Sequence, residues 1–410
     1  MWGTASVKRL CKAAAKMGYT RMALTDTDNL YGMWPFIDAC RENDMQPIIG
    51  AELTDPFTQE RAVLLVKSPQ GYTHLSRLIT ARHMDSGFDL LSQVTDRHHG
   101  LAVLTESPRL LRAWHTQGVM VHLSLPRRPA SPWSPMVQTA RDLQIPMVAV
   151  PGSYYLHPED TLFHRMLRAI DLKTTLDRIT PPHCAPTDSF LLSGDAYEDR
   201  FALCPEAISN THRLAEQLEF DGPEFGLVMP PWKDKEGLNA DERLRAAAYF
   251  GARTRYGHDL PETVVDRLEH ELSIICSMNF SSYFLVVKEI VALSPRICGR
   301  GSGAASLVAY CLHITNVCPV KHNLYFERFL NPGRKDPPDI DVDFPWDERD
   351  QVIEQVFARY PDHCAMVANH VCIKPRMAVR EVARGTERTV IWTPVGWTSF
   401  PGYRDLPRHR

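Results

Sequence analysis

The chain has 410 residues, enough for two or three domains with cores of their own. Its 44% hydrophobic and 23% charged content, with a formal net charge of −3, excludes a disordered chain and gives no global sign of nucleic-acid binding, so any such role must rest on local patches. There is no apolar run of membrane-spanning length, no signal pattern at the start and no Cys-x-x-Cys pair among the ten cysteines; the expectation is a cytoplasmic protein with reduced thiols and no membrane partner.

In chain order, residues 8–19 have helical spacing, 22–26 read as a short buried strand, 33–42 as a second helix and 47–52 as a second strand. The rhythm continues with strand-like runs at 62–66, 101–104, 119–123 and 146–150, separated by helical material, which implies a parallel sheet or barrel of βα units. Asp26 and Glu52 fall at strand ends, where such barrels build their sites. Pro-rich loops at 179–186 and 223–232 flank a helical stretch at 207–218. The expected division is 1–215, 216–370 and a last segment 371–410. Helices are expected at 241–256 and 262–276, followed by the apolar and aromatic run FSSYFLVV (280–287).

Two motifs carry chemistry. The stretch CGRGSGAAS (298–306) is a glycine-rich turn opening into a helix, where small residues expose backbone N–H groups to an anion and Arg300 and Ser302 add donors. A turn that only packs closely would read the same way. In KDPPDIDVDF (335–344), Asp339, Asp341 and Asp343 alternate along an extended segment and would share one face. Three like charges so close need cations, and Mg2+ with its preference for oxygen suits them. The alternative is a solvated acidic edge strand. Arg328, between aromatics in FERFLNP (326–332), can aim at a phosphate or pair with a glutamate. A helix follows from about 347, with Asp347 as its cap and Val352, Ile353, Val356, Phe357 and Tyr360 as its apolar stripe. From Lys374 onward eight basic residues stand against three acidic ones, a tail that either touches DNA phosphates or is a disordered end.

GRGSGAASLVAY (299–310), NLYFERFLNPGRKDPPDIDVDF (323–344) and DERDQVIEQVFARY (347–360) closely resemble the C-family DNA polymerases, the bacterial polymerase III alpha subunits and their error-prone relatives. Upstream, MALTDTDNLYG (22–32), PIIGAEL (47–53) and FALCPEAISNT (201–211) resemble the polymerase and histidinol phosphatase (PHP) domain of the same enzymes. The resemblance implies an α/β multidomain fold: a PHP-type βα barrel whose first strand is missing, then a partial polymerase-beta-like nucleotidyltransferase palm. It implies DNA-directed DNA polymerase chemistry with Mg2+, dNTPs and primed template DNA. Asp339 and Asp341 match the metal-binding catalytic pair, with Asp343 supporting. Arg300, Gly301, Ser302 and Arg328 match triphosphate contacts.

The same resemblance sets limits. The third catalytic aspartate and the clamp-binding region of the family lie downstream of this chain, and the resemblance ends after Arg384, with 385–410 reading as unrelated sequence. The expectation is therefore a truncated form with weak or no activity, and the rival is a non-catalytic module that binds nucleotide or DNA. The PHP site is expected to be degenerate, reduced to Asp26 and Glu52, because the His-x-His strand is missing and Thr27 stands where many members carry histidine. A metal-dependent phosphoesterase or 3′–5′ exonuclease is accordingly the least favoured reading.

Overall fold

The structure is a computed structural model that describes residues 2–125, 135–226, 228–230, 232, 237–333, 338–361, 363–367, 373–386, 389–393 and 396–400, the last two segments by their backbone alone. It forms two compact units, one comprising Met1–Glu224 with Cys372–Arg410 and the other Phe225–Val371. Lys335, Asp336 and Pro337 of the acidic motif, and the basic residues Arg404, Arg408 and Arg410, lie outside the described residues.

The first unit is built on a curled six-stranded sheet, half of a barrel, with strands in sequential order. They are β1 (Arg21–Thr27), β2 (Gln46–Thr54), β3 (Arg61–Val66), β4 (Leu101–Thr105), β5 (Val121–Leu125) and β6 (Met147–Ala149). The sheet is mixed, where the βα rhythm predicts a parallel one: β3 runs antiparallel to both β2 and β4. The reason is local. Residues 55–60 are too few for a helical crossover, so β2 turns straight back into β3. Asp55, 1% exposed, holds that turn by accepting from the N–H groups of Phe57 (3.0 Å) and Thr58 (2.8 Å), and from Leu90 (3.0 Å). Those amides hold its carboxyl below the usual carboxylate range against the opposing pull of burial.

Elsewhere the crossovers behave as the pattern predicts, with Met33–Arg41 joining the parallel pair β1–β2 and Pro108–Thr116 joining β4–β5. Phe88, Trp114 and Phe201 fill the main core on one side of the sheet. His164 is a core histidine: its Nδ1 lies 2.8 Å from the carbonyl of Trp2 and its Nε2 accepts from the N–H of Ala185 at 2.9 Å. The tail is partly ordered. Pro375–Gly385 is helical, and β9 (Thr389–Thr393) pairs antiparallel with β10 (Gly396–Phe400), where the sequence suggests a disordered end.

The second unit is mostly helical. Asn239 caps Ala240–Tyr256 in a reciprocal arrangement with Glu242, its Oδ1 accepting from the Glu242 N–H at 2.8 Å and its own N–H donating back at 3.2 Å. Glu262–Ser277 and Ser281–Val291 pack Leu268, Leu272 and Phe284 against Leu244, Phe326 and Phe329. Among the described residues no single helix is long and apolar enough to cross a membrane. A two-stranded ribbon, β7 (Cys298–Arg300) with β8 (Asp341–Asp343), completes the unit. The helix Arg349–Arg359 starts without its expected cap, because Asp347 pairs instead with Arg296 at 2.6 Å. Of its apolar stripe only Val352 is fully buried, and Phe357 is exposed.

Gly299, in the middle of β7, sets how closely the ribbon approaches its support: a Cβ there would lie 2.2 Å from the carbonyl oxygen of Ile314. At Gly303 the nearest atoms to such a Cβ are at 3.9 Å, ordinary contact. Gly299→Ala should therefore lower stability by about 1–3 kcal/mol, while Gly303→Ala stays within about 0.5 kcal/mol of wild type, as read by urea unfolding.

Candidate active site

The ribbon joins the two motifs. Antiparallel pairing sets Arg300 opposite Asp341 and Cys298 opposite Asp343, so the glycine-rich turn begins where the acidic strand enters. Asp341 and Asp343 share one face of β8, as alternation requires. Asp339 precedes the paired segment, an exposed residue outside the strand in which the sequence places it. Between Asp339 and Asp341 the N–H of Ile340 donates to the Tyr283 hydroxyl at 3.0 Å. Burial pushes the Tyr283 phenol up, and the charges of Asp339 and Asp341 push it further. Tyr283 thus stands beside both carboxylates, a neighbour that the sequence shows only as part of an apolar run.

Gly301 adopts φ +69°, the left-handed region, and turns the chain from β7 into a short 3-10 segment, Gly301–Ala305. Its position is tight as well, because a Cβ would lie 3.0 Å from Asp341 Oδ2. Ser302 is half-buried within this turn. Arg300 reaches back over the acids, with Nε 3.0 Å from Asp343 and Nη1 3.6 Å from Asp341 Oδ2. Arg328 sits on a neighbouring 3-10 turn, Phe326–Arg328, which packs against the glycine-rich turn. Among the described residues its side chain makes no hydrogen bond or ion pair; Glu327 pairs with His270 at 3.0 Å instead. The structure thus gathers Arg300, Gly301, Ser302, Asp341 and Asp343, with Asp339 and Arg328 at the margins.

The helix start that the sequence offers as an anion seat is already filled. Ser306 caps the five-residue helix Leu307–Cys311, and the carboxylate of Glu271, fully buried, accepts from the Ser306 hydroxyl at 2.9 Å and the Val308 N–H at 3.1 Å. Arg267 holds the other oxygen of Glu271 at 2.6 Å and also donates to the carbonyls of Ala305 (3.2 Å) and Leu324 (3.0 Å). Burial pushes the Glu271 carboxyl up, while Arg267 and the helix-start amides pull it down. Donors for an incoming anion are then the turn itself, Ser302 and the two arginines. Glu271 was discoverable in the sequence: it falls on the apolar stripe Val264, Leu268, Leu272, Ile275, four residues after an arginine.

Among the described residues no group of three or more His, Cys, Asp or Glu side chains gathers to hold a metal. Asp341 and Asp343 remain open, at 40% and 57% side-chain exposure. Two accessible carboxylates fit Mg2+, which takes one or two such ligands and keeps several waters.

The structure does not bring Asp26 and Glu52 to one face of the sheet. The β1–β2 register sets Asp26 beside Ala51 and Thr27 beside Glu52, so Asp26 and Glu52 point to opposite faces. Asp26 accepts from the Gly32 N–H at 2.7 Å. Glu52 is held by Thr27 Oγ1 at 3.0 Å and by Arg61 at 3.1 Å. Burial, and then the charge of Glu52, push the Glu106 carboxyl up on the same edge.

Residues 1–126 match the PHP domain family, and residues 242–391 match the bacterial DNA polymerase III alpha NTPase domain family. The chain is thus similar to the C-family DNA polymerases. The match runs to residue 391, past Arg384, where the motifs alone end the resemblance. An error-prone DNA polymerase of Mycobacterium bovis is 31% identical over 93% of this chain and 39% of its own length. DNA polymerase III alpha subunits of Halalkalibacterium halodurans and Bacillus subtilis are each 31% identical, over 92% and 93% of this chain and 36% and 37% of theirs. The chain thus spans less than two fifths of these relatives.

If the Glu271–Arg267 pair braces the site, the two partners should differ in cost. Glu271 is fully buried and Arg267 is 25% exposed. Arg267→Met strands a buried carboxylate and should destabilise the second unit by about 3–5 kcal/mol, whereas Glu271→Gln, which leaves an arginine that water can reach, should cost clearly less. Urea unfolding of the two variants measures the order.

Proposed function

We propose that the second unit carries the nucleotide- and metal-binding centre of a DNA-directed DNA polymerase, acting in the cytoplasm on primed template DNA and dNTPs. The observation that supports this best is the β7–β8 ladder, which sets the glycine-rich turn directly beside Asp341 in a chain similar to this family. Asp339 and Asp341 would hold Mg2+, which would lower the pKa of an attacking 3′-hydroxyl and neutralise the leaving pyrophosphate. The backbone N–H groups of the Gly301–Ala305 turn, with the Ser302 hydroxyl, would receive the triphosphate. Arg328, exposed and unpaired among the described residues, adds a donor for its outer phosphates. Asp343 supports the pair from the strand face it shares with Asp341.

A second reading, a non-catalytic module that binds nucleotide or DNA, is favoured by one observation: the described residues bring no third carboxylate ligand into a metal-binding group. The opposed faces of Asp26 and Glu52 argue against a phosphoesterase or exonuclease site in the first unit.

Mg2+-dependent dNTP binding, followed by fluorescence titration, should fall at least about 10- to 100-fold in Asp339→Asn/Asp341→Asn, the cost of disturbing even the support of a metal ligand. Primer extension on a primed template, run in parallel, separates the readings. Extension that the double variant loses supports the polymerase, and dNTP binding without extension supports the module. Binding unaffected by the double variant would overturn the metal centre at Asp339 and Asp341.

A further inference from the structure

We infer that Arg300 is the resident counter-ion of the acidic strand, a positioning residue that leaves Asp341 and Asp343 when a divalent cation and a triphosphate enter. The inference rests on the reading of the second unit as a polymerase centre and assigns this arginine a role within it. Arg300 is cross-strand partner to Asp341 and immediate neighbour of Gly301, so one residue borders both the acids and the turn. Its guanidinium contacts Asp343 at 3.0 Å and Asp341 at 3.6 Å. Every member of the group is open to solvent: the side chains are 59% exposed for Arg300, 40% for Asp341 and 57% for Asp343. Ion pairs this exposed are weak and rearrange at little cost.

Charge sets the direction. One guanidinium against two carboxylates leaves the strand short of one positive charge, so a divalent cation competes directly for the oxygens that Arg300 holds. A triphosphate received at the turn then offers the displaced guanidinium a denser and bidentate acceptor a residue away. Binding of cation and triphosphate would therefore be cooperative, with Arg300 as the coupling element.

The test is Mn2+ binding to the full chain by isothermal titration calorimetry, with and without inorganic tripolyphosphate, for wild type, R300Q and R300K. R300Q should bind Mn2+ alone about two- to fivefold tighter than wild type, the size of one or two exposed ion pairs, and gain less from tripolyphosphate. R300K, which keeps the charge without the planar fork, should lie between them and keeps the test open should R300Q fail to fold. Mn2+ binding by R300Q equal to or weaker than that of wild type would overturn the inference, as would an undiminished gain from tripolyphosphate. Asp339→Asn/Asp341→Asn reports on the underlying reading separately: if that variant binds Mn2+ as wild type does, the metal lies elsewhere and the polymerase centre itself is wrong.

Discussion

A fully buried carboxylate, Glu271, ties the second unit together. A charge taken out of water is tolerable only when its partners are fixed in number and place. Here they are the Arg267 guanidinium, the Ser306 hydroxyl and the Val308 N–H, which belong to a long helix and to the end of the glycine-rich turn. Arg267 extends the same network to the carbonyls of Ala305 and Leu324, so the two turns that carry Ser302 and Arg328 hang from one side chain. Through that chain of bonds the helix Glu262–Ser277 fixes where the turns that carry Ser302 and Arg328 stand. It also satisfies the helix start at Leu307 internally, so the amides left without such a partner are those of the turn before it.

The elements were legible because their periodicities are strong. The helices near 33–42, 241–256 and 262–276 and most of the sheet strands appear within a residue or two of the expected bounds. Strand direction was less legible, since it depends on the length of a connection and on one buried aspartate in it. Asp55 and the short 55–60 loop reverse β3, and no hydrophobic pattern encodes that reversal. Which face a strand-end residue takes was not legible for a related reason. Asp26 and Glu52 both end strands, but a side chain's face follows from the ladder register, which places Thr27 beside Glu52.

In the site, the local part of the pattern was readable and the long-range part was not. Alternation on β8 places Asp341 with Asp343, and the glycines announce a turn at Gly301. What the spacing could not supply was the antiparallel pairing that sets the turn against Asp341, or the presence of Tyr283 at the same place. Glu271 is the instructive omission. A glutamate on an apolar helical stripe is costly unless it is partnered, and the arginine four residues before it was the visible partner.

Each unit sets an arginine against acids across an antiparallel strand pair, and the two cases differ in solvent. Arg61 of β3 meets Glu52 of β2, which is only 20% exposed and has Thr27 as a further partner. Arg300 of β7 meets Asp341 and Asp343 of β8 in the open. Cross-strand charge pairs of this kind stabilise a sheet modestly wherever they occur. Burial raises the cost of leaving a carboxylate unpaired, so Glu52 holds its arginine as part of the fold. Water lowers that cost at Asp341, and a cation with a higher charge can take the place of the guanidinium. The same pairing chemistry therefore closes one acidic edge and leaves the other open to ligands, and the difference lies in depth rather than in residue type.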